Sequence, residues 1–491
     1  MTEYYLAFDL GAESGRAFLG TLDDTVCLQI EEIHRFPNSM INVMSNLHWD
    51  ILGLYREMLE GLRLLATDYT SSPKSIGIDT WGVDFTLLDA SGALIGAPFT
   101  YRDQRTKEAM EDFFLRIPKE RLYQLTGIQF MPFNTLFQLY SMVRDNSPQL
   151  EIATDLLFIP DILSYYLTGI KKSEFTFATT SQLYNPRTES WEDEIFAQLG
   201  ISQDIMQEIV QPATIIGEIT NNIRVQTGIK GVPMVAVASH DTGSAVAAVP
   251  ASGKNFAYIS CGTWSLMGIE SPAPIINEKT IKYNFTNEGG VCRTFRILKN
   301  IAGLWVLQQC RKEWAKTQEY SYSELTEMAQ NTVPCDSLID QDRPEFFNPS
   351  NMPLTIENFC RKTGQKVPRD IAQCVHVVLQ SLALAYCYTL EQIEEISAIS
   401  IDKIYIIGGG SQNPLLCQFT ADATGLPVYA GPAEATAIGN ILVQAMAFGR
   451  VSSLEQLREV VRRSFRLNLY QPQYTSGWDE KYNRYAKIKK A

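Results

Sequence analysis

Ser239-His240-Asp241-Thr242 is the stretch of this chain with the clearest chemical capacity. Asp241 follows the apolar, β-branched run Val232–Ala238 and precedes the small, Ala-rich run Thr242–Val249, which Pro250 closes. The first run reads as a strand buried on both faces of a parallel sheet, the second as a closely packed helix. A carboxylate between them lies past the carboxyl end of a strand and at the amino end of a helix, where open α/β sheets receive ligands. The helix dipole favours its ionised form, so Asp241 is suited to act as a general base toward a hydroxyl group. An N-cap at Ser239 or Asp241 is the simpler alternative.

A second chemical stretch opens the chain. Tyr4–Gly20 reads as strand, glycine-bearing turn and strand, with the pattern D-x-G-x-x-S-x-R from Asp9 to Arg16. Backbone N–H groups of Gly11–Gly15 and the Ser14 hydroxyl can approach phosphate oxygens, and Asp9 can hold a hydrated Mg²⁺. A ligand-free hairpin turn is the alternative. Neither a GxxxxGK[ST] loop nor a GxGxxG fingerprint occurs. Asn255–Glu270 repeats the strand, Gly-Thr turn, strand pattern around Gly262-Thr263, so that each hairpin offers its turn to one end of a polyphosphate. Two such hairpins predict a duplicated α/β domain with a cleft between the copies. Later, Ile404–Ile407 runs into Gly408-Gly409-Gly410 and a helix over 415–424. Glycines there let backbone lie against a flat ring, an adenine seat, or else make a tight βα turn.

The elements between these stretches must position them. Asp50 caps a helix with apolar positions at Leu52, Tyr55, Leu59 and Leu62. Ser75–Leu88 reads as one more strand, with Asp79 and Asp84 inside it, and polar groups inside a strand need partners or a ligand. Trp81 beside Gly82 is a binding wall or plain core. Tyr101–Arg105 is a further polar cluster, with surface salt bridges as the alternative. Residues 107–229 read as a mixed insertion facing the substrate, with a helix ending at Gly169. A helical stretch is expected over 300–311.

Composition narrows the classes. The chain has 491 residues, 45% hydrophobic and 20% charged, as soluble globular enzymes do, and a net charge of −13. That charge argues against nucleic acid or an anionic membrane as partner. Val377–Leu390, the longest apolar segment, is interrupted by Gln380 and Ser381 and reads as too short to span a bilayer. With no signal-like amino terminus, a cytoplasmic protein is expected. Nine dispersed cysteines without a CxxC pair read as reduced, mostly buried thiols, and the four histidines lack metal-ligand spacing.

Asp9-Leu-Gly-Ala, His240-Asp241-Thr242, Gly262-Thr263-Trp264-Ser265 and Gly408–Asn413 occur in this order across the chain. Together they resemble the FGGY carbohydrate kinases, which implies an α/β fold of two actin-like, ribonuclease-H-like domains with an interdomain cleft. The implied boundaries are 1–249 for the sugar and phosphate side, 250–460 for the nucleotide side and 461–491 for a tail. GIDTWGVDF at 77–85, YRDQRT at 101–106, SHDTGSAV at 239–246 and LKNIAGLW at 298–305 resemble the members that phosphorylate L-rhamnulose at O1 with ATP. L-Fuculose or a pentulose, and a catalytically idle sugar-binding regulator, are the alternatives. The resemblance implies Asp241 as catalytic base. It also implies ATP contacts at Ala12, Glu13, Ser14, Gly15, Arg16, Thr263, Gln308 and Gly409. Gly82, His240, Asp241, Thr242 and Asn300 match sugar contacts, and Asp9 would face Mg²⁺. Two positions depart from the family. A Lys-Leu-x-Trp signature is absent near Asn134–Phe137, and Glu13 stands where small or hydroxyl residues are frequent. Its side chain is expected to point outward, with its N–H still available.

Overall fold

A computed structural model describes residues 2–69 and 72–490. The chain forms two compact units. The first comprises 1–248, 270–297 and 436–464; the second comprises 249–269, 298–435 and 465–491.

The first unit is built on a six-stranded sheet in the order Thr214–Glu218, Pro233–Ala236, Ile76–Thr80, Glu3–Leu10, Ser14–Leu22, Leu28–Pro37. Glu3–Leu10 pairs antiparallel with Ser14–Leu22 and parallel with Ile76–Thr80, which in turn runs parallel to Pro233–Ala236. Three parallel carboxyl ends therefore stand side by side. Near-continuous burial along Glu3–Leu10 and Ile76–Thr80 explains why these strands lack a polar alternation. Ser75–Leu88 is two strands rather than one. Ile76–Thr80 and Phe85–Leu88 are separated by a turn in which Val83 adopts φ +68.

Asp50 caps the helix Ile51–Asp68 as expected, accepting from Gly53 N at 2.9 Å. The buried face differs by a few positions from the expected one. Ile51, Leu54, Met58, Leu62 and Leu65 carry it together with Leu59, while Leu52 is exposed. The i, i+3/i+4 spacing from Ile51 holds over four turns, and that longer run sets the face. The insertion's helix Ile159–Thr168 ends at Gly169 with φ +74, again as expected.

The second unit repeats the theme. Phe256–Cys261 pairs antiparallel with Trp264–Ser271 and parallel with Lys403–Ile407, which pairs parallel with Val428–Ala430. The seven-stranded sheet runs in the order Thr286–Gly289, Phe295–Ala302, Trp264–Ser271, Phe256–Cys261, Lys403–Ile407, Val428–Ala430, Asn468–Tyr470. Asn300 thus lies on a strand; the helix expected from 300 begins only at Trp305 and runs to Trp314. Val377–Leu390 belongs to the helix Ile371–Ser397, whose 27 residues are long and apolar enough to cross a membrane. The expectation of a segment too short is corrected in that respect. Of its apolar window 78% is buried inside the protein, which accounts for its composition as core. All nine cysteines are free thiols and six of them are buried.

One helix from late in the sequence, Ala435–Ala447, completes the first unit through its residues from 436 onward. A Cβ on Gly439 would fall 1.8 Å from Ser244 O, one on Gly20 2.6 Å from Ile441, and one on Gly77 2.3 Å from Asn440 Oδ1. Three missing side chains let this helix close onto the sheet and onto the helix Asp241–Ala247. At Gly439 the obstacle is backbone, which cannot rotate away. Gly439→Ala should therefore cost about 1–3 kcal/mol and lower the thermal midpoint, whereas an unchanged midpoint would show that the helix can shift freely.

Candidate active site

The carboxyl ends of the three parallel strands bring the first unit's predicted residues together. Thr80 N donates to Ser239 O at 2.8 Å and Trp81 N to Leu10 O at 3.3 Å, so the three chains continue alongside one another beyond the sheet. Asp9 and Asp79 are register partners on neighbouring strands. Both are buried. Arg16, the cross-strand partner of Asp9, reaches it with Nη2 at 2.6 Å from Oδ2. Asp79 Oδ2 accepts from Asn440 Nδ2 at 2.6 Å, and its Oδ1 has no hydrogen-bond partner among the described residues. Burial raises the Asp79 carboxyl well above the usual carboxylate range, and the charges of Asp9 and Asp241 push it further up, against the Asn440 hydrogen bond and Arg16.

Asp241 is the first residue of the helix Asp241–Ala247, and His240 is the N-cap without a side-chain cap. Neither Ser239 nor Asp241 caps the helix, so the simpler reading of this stretch fails. Ser239 is held elsewhere: its N and Oγ donate to Glu174 Oε2 at 3.0 and 2.7 Å. Asp241 Oδ1 accepts from Thr242 N at 2.5 Å and Thr242 Oγ1 at 3.1 Å. Its side chain remains 33% exposed, unlike Asp9 and Asp79. A carboxylate fixed by local donors and still reachable is the form a proton acceptor needs. Thr242 itself is buried and spends its hydroxyl on Asp241.

Gly82 and His240 are brought into contact: a Cβ on Gly82 would stand 3.2 Å from His240 Nε2. The hairpin turn is fixed from behind. Gly11 N donates to Ser14 O at 2.9 Å, and Asn38 donates twice to the turn, from Nδ2 to Gly11 O at 2.9 Å and from its backbone N to Glu13 O at 3.0 Å. Gly15 is required by packing, since a Cβ would lie 2.2 Å from the Phe36 ring. Glu13 is exposed, as expected of an outward side chain.

The second unit holds Thr263, Asn300, Gln308 and Gly409. Leu304 N and Trp305 N donate to Gly262 O and Thr263 O at 3.0 and 3.1 Å, tying the second hairpin turn to the start of the helix Trp305–Trp314. Among the described residues, Gln308 Oε1 is buried without a hydrogen-bond partner. In the triple-glycine turn, Gly408 adopts φ +78 and Gly410 has Cys261 Sγ 2.1 Å from a Cβ position. Among the described residues nothing lies within 4 Å of a Cβ position on Gly409. Neither backbone nor internal packing demands glycine there.

Sequence reasoning missed the network beneath Trp81. Trp81 is core, but its Nε1 donates to Asp84 Oδ2 at 2.9 Å. The same oxygen accepts from Trp49 Nε1 at 2.6 Å and Tyr101 N at 3.1 Å, while Oδ1 accepts from Gln138 Nε2 at 2.8 Å. Arg105 then reaches Gln138 Oε1 with Nη2 at 2.7 Å and stacks over Phe99. The Tyr101–Arg105 cluster is thus a support for the Trp81–Gly82 turn rather than a set of surface salt bridges. Only the carboxylates inside Ser75–Leu88 signalled it. Glu288, Arg296 and Asn440 were also missed, and each approaches the site from a distant segment.

The FGGY family of carbohydrate kinases matches twice, its N-terminal domain over residues 4–248 and its C-terminal domain over 257–448. The chain belongs to that family and is a carbohydrate kinase using ATP. It is 48% identical over 482 residues to the rhamnulokinase of Bacteroides thetaiotaomicron, covering 98% of each chain. The rhamnulokinase of Oceanobacillus iheyensis is 42% identical, over 96% of this chain and 98% of that one. Among solved structures, a gluconate kinase from Lactobacillus acidophilus superimposes with a TM-score of 0.82 at 15% identity, covering 100% of this chain and 98% of that one. Plasmodium falciparum glycerol kinase with ADP reaches 0.79 at 14% identity, over 100% and 97%. These likenesses establish the two-domain, actin-like fold of the sugar kinases.

Asp84 generates a pH test. Burial pushes its carboxyl up to about 6 in spite of its four donors. With the folded value above the ordinary one, the native state takes up this proton before the unfolded chain does. The group therefore favours folding increasingly as pH falls through 6, and that contribution is lost as pH rises through it. In Asp84→Asn the new amide faces Gln138 Nε2, donor against donor, at a cost of about 1–3 kcal/mol. The stability margin of the unsubstituted protein over Asp84→Asn should widen between about pH 7 and about pH 5; a narrowing margin in thermal melts would contradict the shift.

Proposed function

We propose that the chain phosphorylates L-rhamnulose at O1 with ATP, yielding L-rhamnulose 1-phosphate and ADP. The observation that carries this reading is the 48% identity to a rhamnulokinase over 98% of both chains. Asp241, partly exposed at the strand ends, is the proposed base. It accepts the O1 proton as that oxygen bonds to the γ-phosphorus and the bond to the ADP oxygen breaks in line. Gly82, His240, Thr242 and Asn300 are the proposed sugar-side residues; Thr242 acts by holding the Asp241 carboxylate. Residues 12–16, Thr263, Gln308 and Gly409 are proposed for ATP. The open space over Gly409 and the unpartnered Gln308 Oε1 support their part in that set.

Among the described residues no group of three or more His, Cys, Asp or Glu could hold a metal ion. The donor set instead suits Mg²⁺ in its usual form, bound through one or two carboxylates and waters. Asp9 is the proposed metal-side residue, with the unpartnered Asp79 Oδ1 beside it as a second acceptor. When bound, the ion would neutralise charge on the phosphates. We place the enzyme in the cytoplasm, where ATP and reduced thiols both fit its chemistry. The sugar and phosphate side is proposed to follow 1–249 and the nucleotide side 250–460, with a tail over 461–491.

Two measurements test this. ADP release with Mg²⁺ should be fastest with L-rhamnulose among L-rhamnulose, L-fuculose, L- and D-ribulose, D-xylulose and glycerol; preference for another ketose would keep the chemistry and refute the substrate. Asp241→Asn should lower kcat by about 10²–10⁴ in a folded protein, and undiminished turnover would remove Asp241 from its role.

A further inference from the structure

Ser239 and His240 lead into Asp241, and every backbone polar atom of the two is occupied. Ser239 O accepts from Thr80 N at 2.8 Å, and His240 O accepts from Gly243 N at 2.6 Å. A neighbouring strand and the first turn of a helix supply those partners, as any strand-to-helix turn provides. The other two partners come from the insertion, 65 and 64 positions earlier in the chain: Ser239 N donates to Glu174 Oε2 at 3.0 Å and His240 N to Thr176 Oγ1 at 3.2 Å. Glu174, Thr176 and Ser239 are all buried.

Glu174 gathers donors from both segments. Its Oε1 accepts from Thr176 N at 2.9 Å, and its Oε2 from Thr176 Oγ1 at 2.6 Å, Phe177 N at 3.1 Å and Ser239 Oγ at 2.7 Å as well as Ser239 N. Capping the short helix Phe175–Ala178 accounts for the bonds from Thr176 N and Phe177 N, but not for those from Ser239. Burial pushes this carboxyl up, and the bonds from Thr176 and Ser239 oppose that. Bonds to a charged acceptor are roughly twice as strong as neutral ones, so Glu174 grips Ser239 more firmly than an amide would. Thr176 extends the grip: its hydroxyl proton goes to Glu174, which leaves the oxygen lone pairs for His240 N. A Cβ on Gly243 would stand 3.3 Å from Thr176 Cβ, so glycine there lets the helix Asp241–Ala247 close against Thr176. Neither the sheet nor that helix needs these two side chains. What they fix is the turn that aims Asp241.

We propose that Glu174 and Thr176 are positioning residues for phosphoryl transfer: from the insertion they hold the backbone of Ser239 and His240 so that Asp241 presents its carboxylate past the strand ends. This rests on the reading of Asp241 as the base and adds to it two residues that act through it without touching substrate.

A kinetic double-mutant cycle with L-rhamnulose tests this. Thr176→Val keeps the shape of the side chain and removes its hydroxyl, which frees His240 N. Its kcat should fall about 10- to 100-fold, the usual effect of a small misplacement of a reacting group, while the KM for ATP stays within about twofold. Thr176→Ser restores the hydroxyl and should recover most of the loss. In an Asp241→Asn background, Thr176→Val should change the residual turnover by less than about twofold, because the group it positions is already gone. General damage to the fold would instead lower turnover by the same factor in both backgrounds, and that result would overturn the inference. So would an undiminished kcat in folded Thr176→Val. If Thr176→Val fails to fold, Ser239→Ala takes its place in the cycle: it deletes one bond to Glu174 and should lower kcat about fivefold, again only when Asp241 is present. An unmoved kcat there is equally contrary. Loss of turnover in Asp241→Asn with none in folded Thr176→Val would refute this inference alone, whereas full turnover in Asp241→Asn would refute the base assignment and this inference with it.

Discussion

A carboxylate with no cation of its own, buried at a strand end beside a second carboxylate, is the constraint from which the first unit's architecture follows. Asp79 is such a group, and its neighbours Asp9 and Asp241 both oppose its ionisation. Leaving it there demands compensating dipoles at close range. Asn440 supplies one, and Gln444, one turn further along the same helix, donates to Asn440 Oδ1 and Leu6 O and accepts from Ser75 Oγ. A helix from near the end of the chain thus ties together strands from its beginning. Gly20, Gly77 and Gly439 are the clearances that allow that approach.

The three acidic side chains consequently have different characters in one small region. Asp9 is paired with Arg16, Asp79 is held by an amide, and Asp241 is held by the Thr242 N–H and hydroxyl and stays accessible. Environment, rather than residue type, separates a proton acceptor from groups suited to binding positive charge. Beneath them, Asp84 gathers two indole N–H groups, a backbone N–H and the Gln138 amide, which fixes the turn that carries Gly82 toward His240.

Much of this was legible in the sequence. Both hairpins announced themselves by a strand-turn-strand pattern with glycine at the bend, and Asp241 by its place between an apolar run and a small-residue run. Local pattern suffices for such features because adjacent residues create them. It failed where the partner is remote in sequence. Nothing near Asn440 marks it as the partner of Asp79, 361 positions away, and Glu288 and Arg296 read as ordinary charges until the fold buries them. The helix over 51–68 shows a subtler limit: the expected apolar stripe began at Leu52, and only the full four-turn register reveals Ile51 as its start. Asn300 was misplaced because a strand and a helix meet within a few residues at Gly303, whose Cβ position falls 2.6 Å from Trp264 backbone. That close approach turns the chain between the two elements and is invisible to periodicity.

The central claim is that Asp241 serves the transfer of a phosphoryl group to the primary O1 of a ketose, and the structure of the product tests it most directly. ³¹P NMR of the reaction of the purified protein with ATP, Mg²⁺ and L-rhamnulose should show a sugar-phosphate signal split by the two protons of C1, growing as ATP is consumed. A signal split by a single proton would place the phosphate on another carbon, and ATP consumption yielding only inorganic phosphate would mean that no sugar oxygen is the acceptor; either result contradicts the account.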